Sequence, residues 1–468
     1  MKQTLSLILA LALALLAACS SDSNYKPDDS VDWPSQPIDF TRAETYHESG
    51  PIDLSGDLDL GQLIEIAADR NARLAAARQR WLASVERPSQ ARSLPDPLLR
   101  YTEFIDPIET RVGPNNRRFD LIQPIPWPGK LSVAGKLAEE QAKIKELEYH
   151  IALRDTVANV KVSYAEYAFL RKAIEIVEQN RTLARQMAEK ASALYATSKK
   201  GKRDVVTLFD SLKAQSQLAQ LAYDFITLDE LRMVEATNIN SFLSREPRAP
   251  LGAPKDLPYR LLNVNIEQLY AMGLTYRQEL QAKVHAIAAA HEAQRLAELA
   301  RVPDFSVGVT YSQIGSAIAP IPDSGKDAWG ISLGMTLPIW VTKNRARIAE
   351  ATNRRYAAER DRQAEVDDMM ARITKVYFRL QNAERLVRLY KESLIPQAEE
   401  AMEIAEQWRD VGRDTIGRYL EAQSVWLNFQ LAYHRALADY EQMVARMEQL
   451  VGTSLGHLRG ERSSDEEK

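Results

Sequence analysis

Few residues in this chain of 468 are spaced for chemistry. The single cysteine, Cys19, has no partner for a disulfide within the chain, so its thiol chemistry must involve something outside it. Six histidines are scattered. His285 and His291 fall six residues apart, and Met443 and Met447 stand at i, i+4, a methionine spacing that usually serves a helix core. There is no Gly-rich phosphate loop, no HExxH, no nucleophile elbow and no Cys–His pair. The sequence therefore predicts no enzyme, no cofactor and no protein metal site. A net charge of −4 argues against a nucleic-acid partner, which would require a basic face.

The remaining chemistry is that of side chains against their solvent. In WGISLGMTLPIW (329–340) the odd positions Trp329, Ile331, Leu333, Met335 and Leu337 are bulky and apolar, and Gly330, Ser332, Gly334 and Thr336 between them are small. Phe305, Val307, Val309 and Tyr311 alternate in the same way with Ser306, Gly308, Thr310 and Ser312. Period-two alternation makes strands with two unlike faces. A bulky apolar face opposite a tiny, nearly uncharged one fits a membrane β-barrel, with lipid on one side and a lumen on the other, although buried strands of soluble proteins also alternate. Trp329 and Trp340 would stand about 36 Å apart along a strand, or about 27 Å in height after a 40° tilt. An earlier pair, about 97–105 and 117–126, is less regular, with Leu99, Tyr101, Phe119 and Leu121 interspersed with Arg100, Thr102, Asp120 and Gln123.

These strands sit in a chain that repeats itself. NARLAAARQRWLAS (71–84) resembles RQELQAKVHAIAAA (277–290), and SLPDPLLRYTEF (93–104) resembles RVPDFSVGVTYS (301–312). Arg203-Asp204 answers Arg413-Asp414 at the same offset of about 206 to 210. Two repeats follow, 61–246 and 263–452, joined by a Pro-rich linker, 247–262, and trailed by a polar tail, 453–468. Each opens with an amphipathic helix, about 61–92 and 265–301, followed by two strands (about 97–105 and 117–126, then about 303–313 and 328–338) and a long helical hairpin, 131–246 or 343–451. The first hairpin is expected as a helix of about 60 residues, roughly 90 Å, and a second of about 40, turning near Gly201; the other turns at 410–414. Four strands are too few to close a barrel, and lipid tolerates no open edge, so other copies of the chain must complete it.

Residues 1–18 have the plan of a signal peptide: Lys2, an apolar run from Leu5 to Leu16, then small residues. LAAC resembles the lipobox of bacterial lipoproteins, which implies cleavage before Cys19 and its acylation, palmitate included; Ser20 in place of an aspartate favours the outer membrane. The arm from 19 to 60 reads as an extended tether.

With a lipobox, a tandem repeat and strand pairs at the bases of long hairpins, the chain resembles the TolC-like outer-membrane efflux factors over nearly all of 20–460. LPDPLLRY, PIPWPGKL (124–131), ARVPDFSVGVTYS, WGISLGMTLPIW and IPQAEEAMEIAEQWRDVGRDTIGRYLEAQS (395–424) carry the likeness. It implies a mainly α protein with a small membrane β part: a homotrimer with a 12-stranded barrel in the Gram-negative outer membrane and an α-helical tunnel through the periplasm. It further implies a periplasmic adaptor and an inner-membrane RND-type pump as partners. Phe305, Val307, Val309, Tyr311, Trp329, Ile331, Leu333 and Met335 would face outer-membrane lipid. The adaptor would meet the tips, Gly201, Lys202, Arg203 and Asp204 with Gly412, Arg413, Asp414, Thr415 and Ile416.

Relatives narrow the tunnel mouth with carboxylates just past the second tip. Here Arg418 stands at the first such position and Glu421 at the second, so either an ionic latch or a solvated helix face fits. PIPWPGKL is reminiscent of the heavy-metal branch, though no ligand cluster supports a metal cargo. The competing reading is a lipid-anchored periplasmic coiled-coil scaffold or adaptor, which accounts for the helices but gives no reason for strands with a bulky side and a glycine-serine side.

Overall fold

The computed structural model describes residues 52–197, 208–318, 320–410 and 416–460. In chain order the elements begin with α1 (Leu60–Arg70), α2 (Ala72–Val85), α3 (Arg87–Arg92), β1 (Leu98–Glu103), β2 (Glu109–Thr110), β3 (Gly113–Ile125), α4 (Pro128–Thr197) and α5 (Leu208–Phe242). There follow β4 (Leu261–Leu262), α6 (Ile266–Tyr276), α7 (Gln278–Leu299), β5 (Phe305–Ile314), β6 (Ala328–Met335) and α8 (Val341–Arg388). A π-helical turn (Leu389–Leu394), α9 (Ile395–Asp410), α10 (Ile416–Val451), a 3-10 turn (Gly456–Leu458) and β7 (Arg459–Gly460) complete the described chain. Contacts divide these residues into two units, one of 78–148 and 279–365, the other of 52–77, 149–278 and 366–460.

The first unit holds an antiparallel sheet in the order β1-β3-β5-β6, with β2 paired to the start of β3. Below it the chain is pinned by Asp304, whose carboxylate accepts from Trp127 N (2.9 Å) and Lys130 Nζ (2.8 Å). β6 stops at Met335, short of 338: Thr336 still exchanges hydrogen bonds with Asp304, but Pro338 has no N–H to continue the ladder. The height deduced from Trp329 to Trp340 therefore does not hold, because residues 336–340 are not strand. The eight residues of β6 span seven steps, about 23 Å of strand, or about 18 Å of height at 40°.

The second unit is helical, and its core forms where α1 packs on α4 and α5. Leu58, Leu63, Ala67, Val160, Tyr164, Tyr167, Ile239 and Leu243 are all buried there. Asp59 caps α1 by accepting from Gly61 N and Gln62 N. A hydrogen bond from Lys255 (2.8 Å), and then the Gln62 N–H, hold its carboxyl below the usual carboxylate range. The helix expected as one over 61–92 is three: Asn71 is extended and turns its side chain onto Arg73 N and Leu74 N while donating to Phe242 O, and a second break falls at Glu86, with Pro88 in the first turn of α3. Likewise 265–301 is two helices, broken at the extended Arg277, and Asn265 with Gln268 forms a capping box at the start of α6. α4 runs 70 residues, starting at Pro128, whose missing N–H costs nothing at a first helical position.

Two further features lay outside the sequence reading. The hairpin from 343 to 451 contains a π turn, in which Ile395 N–H bonds back to Tyr390 O. Pro396 follows at once; it lacks an N–H and its ring would strike a carbonyl of a regular turn, so the widened turn accommodates it. The linker and the start of the tail are also structured. Gly252 N donates to Leu54 O (2.7 Å), the hydroxyls of Tyr167 and Tyr440 donate to linker carbonyls, and β4 pairs with β7. Leu455, buried, donates its N–H to Glu448 Oε1 at 2.9 Å.

Gly252 lies so close to Gly56 that a Cβ would stand 1.6 Å from the Gly56 carbonyl oxygen, whereas a Cβ on Gly330 would meet nothing within 4 Å. Gly252→Ala should thus lower the thermal unfolding midpoint of the purified protein by several degrees or prevent its accumulation, while Gly330→Ala leaves the midpoint within about a degree. Circular dichroism melts compare the two.

Candidate functional site

Register turns the irregular first strand pair into half of a consistent surface. Leu99 is opposite Leu121, which is opposite Val309, which is opposite Ile331. Tyr101, Phe119, Tyr311 and Trp329 form the neighbouring row, and Gln123, Val307 and Leu333 another. Cross-strand partners share a face, so all eight expected lipid-facing residues lie on one side of the sheet with Leu99, Tyr101, Phe119 and Leu121. The aromatic row is continuous: ring centroids are 5.0 Å apart from Tyr101 to Phe119, 6.1 Å from Phe119 to Tyr311 and 4.7 Å from Tyr311 to Trp329. Trp127 meets Phe305 at 6.2 Å near the opposite end. Aromatics therefore border both ends of an apolar band.

That band is exposed, with Leu333 82 % accessible. The opposite face carries Gly308, Gly330 and Gly334 with Ser306, Thr310, Ser312 and Ser332 on β5 and β6, and Arg100, Thr102, Arg118 and Asp120 on β1 and β3. Among the described residues the outer strands β1 and β6 each offer one unpaired edge. Among the described residues no helix is long and apolar enough to cross a membrane, and no group of three His, Cys, Asp or Glu could hold a metal.

The other expected site lies where α4, α5, α9 and α10 meet near their hairpin ends. Cys19, Gly201, Lys202, Arg203, Asp204, Gly412, Arg413, Asp414 and Thr415 lie outside the described residues, and Ile416 is the first residue of α10. Tyr419 and Leu420 are buried against Met187, Ala188 and Ala214, which turns Arg418 and Glu421 outward. Glu421 accepts from Lys213 Nζ at 2.5 Å, a partner that sequence reasoning missed. One turn further on, Gln217 Nε2 donates to Ser424 Oγ at 2.9 Å, and the buried Gln423 donates to Asn180 Oδ1 at 3.2 Å. The signal for Lys213 was present: it lies 208 positions before Glu421, the offset of the internal repeat, so corresponding positions of the two halves touch.

The model of the outer membrane efflux protein family matches residues 269–453. Solved structures share the fold over most of the chain. The outer membrane protein VceC of Vibrio cholerae is 20 % identical with a TM-score of 0.69, covering 85 % of this chain and 96 % of that one. A membrane protein from Pseudomonas aeruginosa is 16 % identical, TM-score 0.72, covering 88 % and 97 %. The CmeC outer membrane channel of Campylobacter jejuni is 14 % identical, TM-score 0.68, covering 93 % and 94 %. A search of curated proteins found no match.

Glu421 is 66 % and Lys213 30 % exposed, so water screens their pair. A double-mutant cycle on Lys213→Met and Glu421→Gln should give a coupling below about 1 kcal/mol that shrinks as salt is raised. A coupling that is larger and independent of salt would mean the pair is desolvated.

Proposed function

We propose, from the match of residues 269–453 to the outer membrane efflux protein family and a fold shared with VceC and the CmeC outer membrane channel, that the chain acts as the outer-membrane channel of a tripartite efflux pump. The observation that carries this reading is the one-sided apolar sheet with two open edges. In a hydrocarbon layer an unpaired backbone N–H or C=O costs several kcal/mol, so the edges of β1 and β6 must be met by strands of other copies. A homotrimer supplies twelve strands and closes the ring. Substrate then passes between copies along the small-residue face, and no step needs a catalytic group.

The finer assignments belong to the same proposal. The helical hairpins extend into the periplasm, where the turns at 201–204 and 412–416 meet a periplasmic adaptor that links the channel to an inner-membrane RND-type pump. Arg418 and Glu421 stand just beyond the second turn, at the tunnel mouth. Cys19 carries lipid, and the chain lies in the Gram-negative outer membrane. The face opposite the lipid is lined by glycine and hydroxyl side chains without a ligand cluster, which suits a duct that does not select its cargo by binding.

Two measurements test it. Leu333→Arg, on the lipid face, should cost about 2 to 4 kcal/mol per copy near mid-bilayer and abolish the heat-sensitive gel mobility of the assembled barrel. Ser332→Arg should preserve that mobility and alter conduction; equal damage from both would refute the face assignment. Cys19→Ala should abolish incorporation of labelled palmitate while leaving trimers in the membrane fraction, because the barrel anchors itself. Undiminished labelling would refute acylation at that residue.

A further inference from the structure

We propose that the small-residue face of the sheet gives the channel a preference for anionic solutes, through an arginine surplus centred on Arg100. This rests on the barrel reading above, in which that face borders the pore. On that face of the four strands only three side chains ionise: Arg100 on β1, and Arg118 and Asp120 on β3. Glycine, alanine, serine, threonine, proline, Asn115 and a few aliphatic residues fill the other positions.

The three are unequal. Asp120 is buried, and accepts from Arg118 Nε at 3.0 Å and from Thr310 Oγ1 at 2.7 Å, so its charge is committed to Arg118. Arg100 lies directly opposite Asp120 in register, yet is exposed and forms no ion pair among the described residues. Two cations against one anion leave +1 per chain, or +3 for three copies, at one level of the pore. Charged rings at a pore wall select by sign.

Of the acidic groups nearby, Asp304, in phase with this face just before β5, is paired with Lys130 at 2.8 Å, and Asp96 lies two residues before β1; the others do not share the face. Asp327 accepts from the Tyr311 hydroxyl (2.6 Å), which stands on the bulky side, and Asp323 pairs with Lys326 (3.5 Å) in the connection before β6. Glu103 pairs with Arg117 at the end of the bulky face. Asp106, Glu109 and Arg111 lie on β2 and the connections around it. The field of the ring reaches about 10 Å at 0.1 M salt and about 30 Å at 0.01 M, so selectivity must strengthen on dilution.

Reversal potentials across planar bilayers in a KCl gradient test this, with trimer assembly of each variant verified by gel mobility. The wild type should pass chloride more readily than potassium, by a ratio that grows when both solutions are diluted tenfold. Arg100→Gln should bring the ratio close to one, and Arg100→Glu, which makes the face −1 per chain, should reverse its sign. If the glutamate variant does not assemble, Arg100→Gln decides. A cation-preferring wild type, or a ratio that Arg100 variants leave unchanged, overturns the proposal while the channel stands. A protein that forms no pores overturns the barrel reading and this inference together.

Discussion

Hydrocarbon offers backbone amides and carbonyls no hydrogen-bonding partner, and in the barrel proposed above the sheet answers that constraint with economy. Among the described residues four antiparallel strands satisfy each other except along the outer edges of β1 and β6, and the large side chains of β5 from Phe305 to Tyr311 and of β6 stand on one face. A sheet built this way buries neither its apolar face nor its edges within one chain. Both deficits are met only if lipid covers the face and further copies pair with the edges. In the proposed barrel, assembly is thus a condition of the strands' stability.

The helices meet a different difficulty, since a helix 70 residues long has more surface than one neighbour can cover. Small buried residues let them approach closely, as at Ala173, Ala184 and Ala214, and single polar side chains join facing helices, as Gln423 joins Asn180. Tyr164, Tyr167 and Tyr440 bury their rings in the core and use their hydroxyls to hold the linker backbone in place: Tyr164 accepts from Lys255 N and donates to Leu58 O, and Tyr167 and Tyr440 donate to Leu251 O and Arg260 O. Tyrosine suits this because its body is apolar and its tip satisfies a carbonyl that would otherwise be stranded. The linker is therefore fastened along much of its length, despite reading as a loop.

Much of the strand architecture was legible because period-two alternation is a local property of the chain. Trp329 to Met335 announced its two faces without any neighbour. The first strand pair was harder to read, since Arg100, Thr102, Asp120 and Gln123 interrupt its pattern, and only register shows that Leu99, Tyr101, Phe119 and Leu121 continue the same surface. Proline gave mixed guidance. Pro128 marks a helix start, while Pro396 sits within a helical run that survives by widening one turn. A local rule reports the disruption but cannot say whether the chain stops or adjusts.

By itself the sequence determined the element types, the doubling of the plan at a constant offset and the existence of an apolar strand face, because each depends on spacing within a few residues or on comparison of the chain with itself. It did not determine which residues meet across that offset. Lys213 and Glu421 come together because the two halves pack with corresponding helices side by side, and Arg100, although the register sets it opposite Asp120, has no ion pair among the described residues, since that carboxylate accepts from Arg118 on its own strand and from Thr310 on the next. Pairing across hundreds of residues depends on how surfaces dock, and a charge takes its partner from geometry that no local pattern encodes.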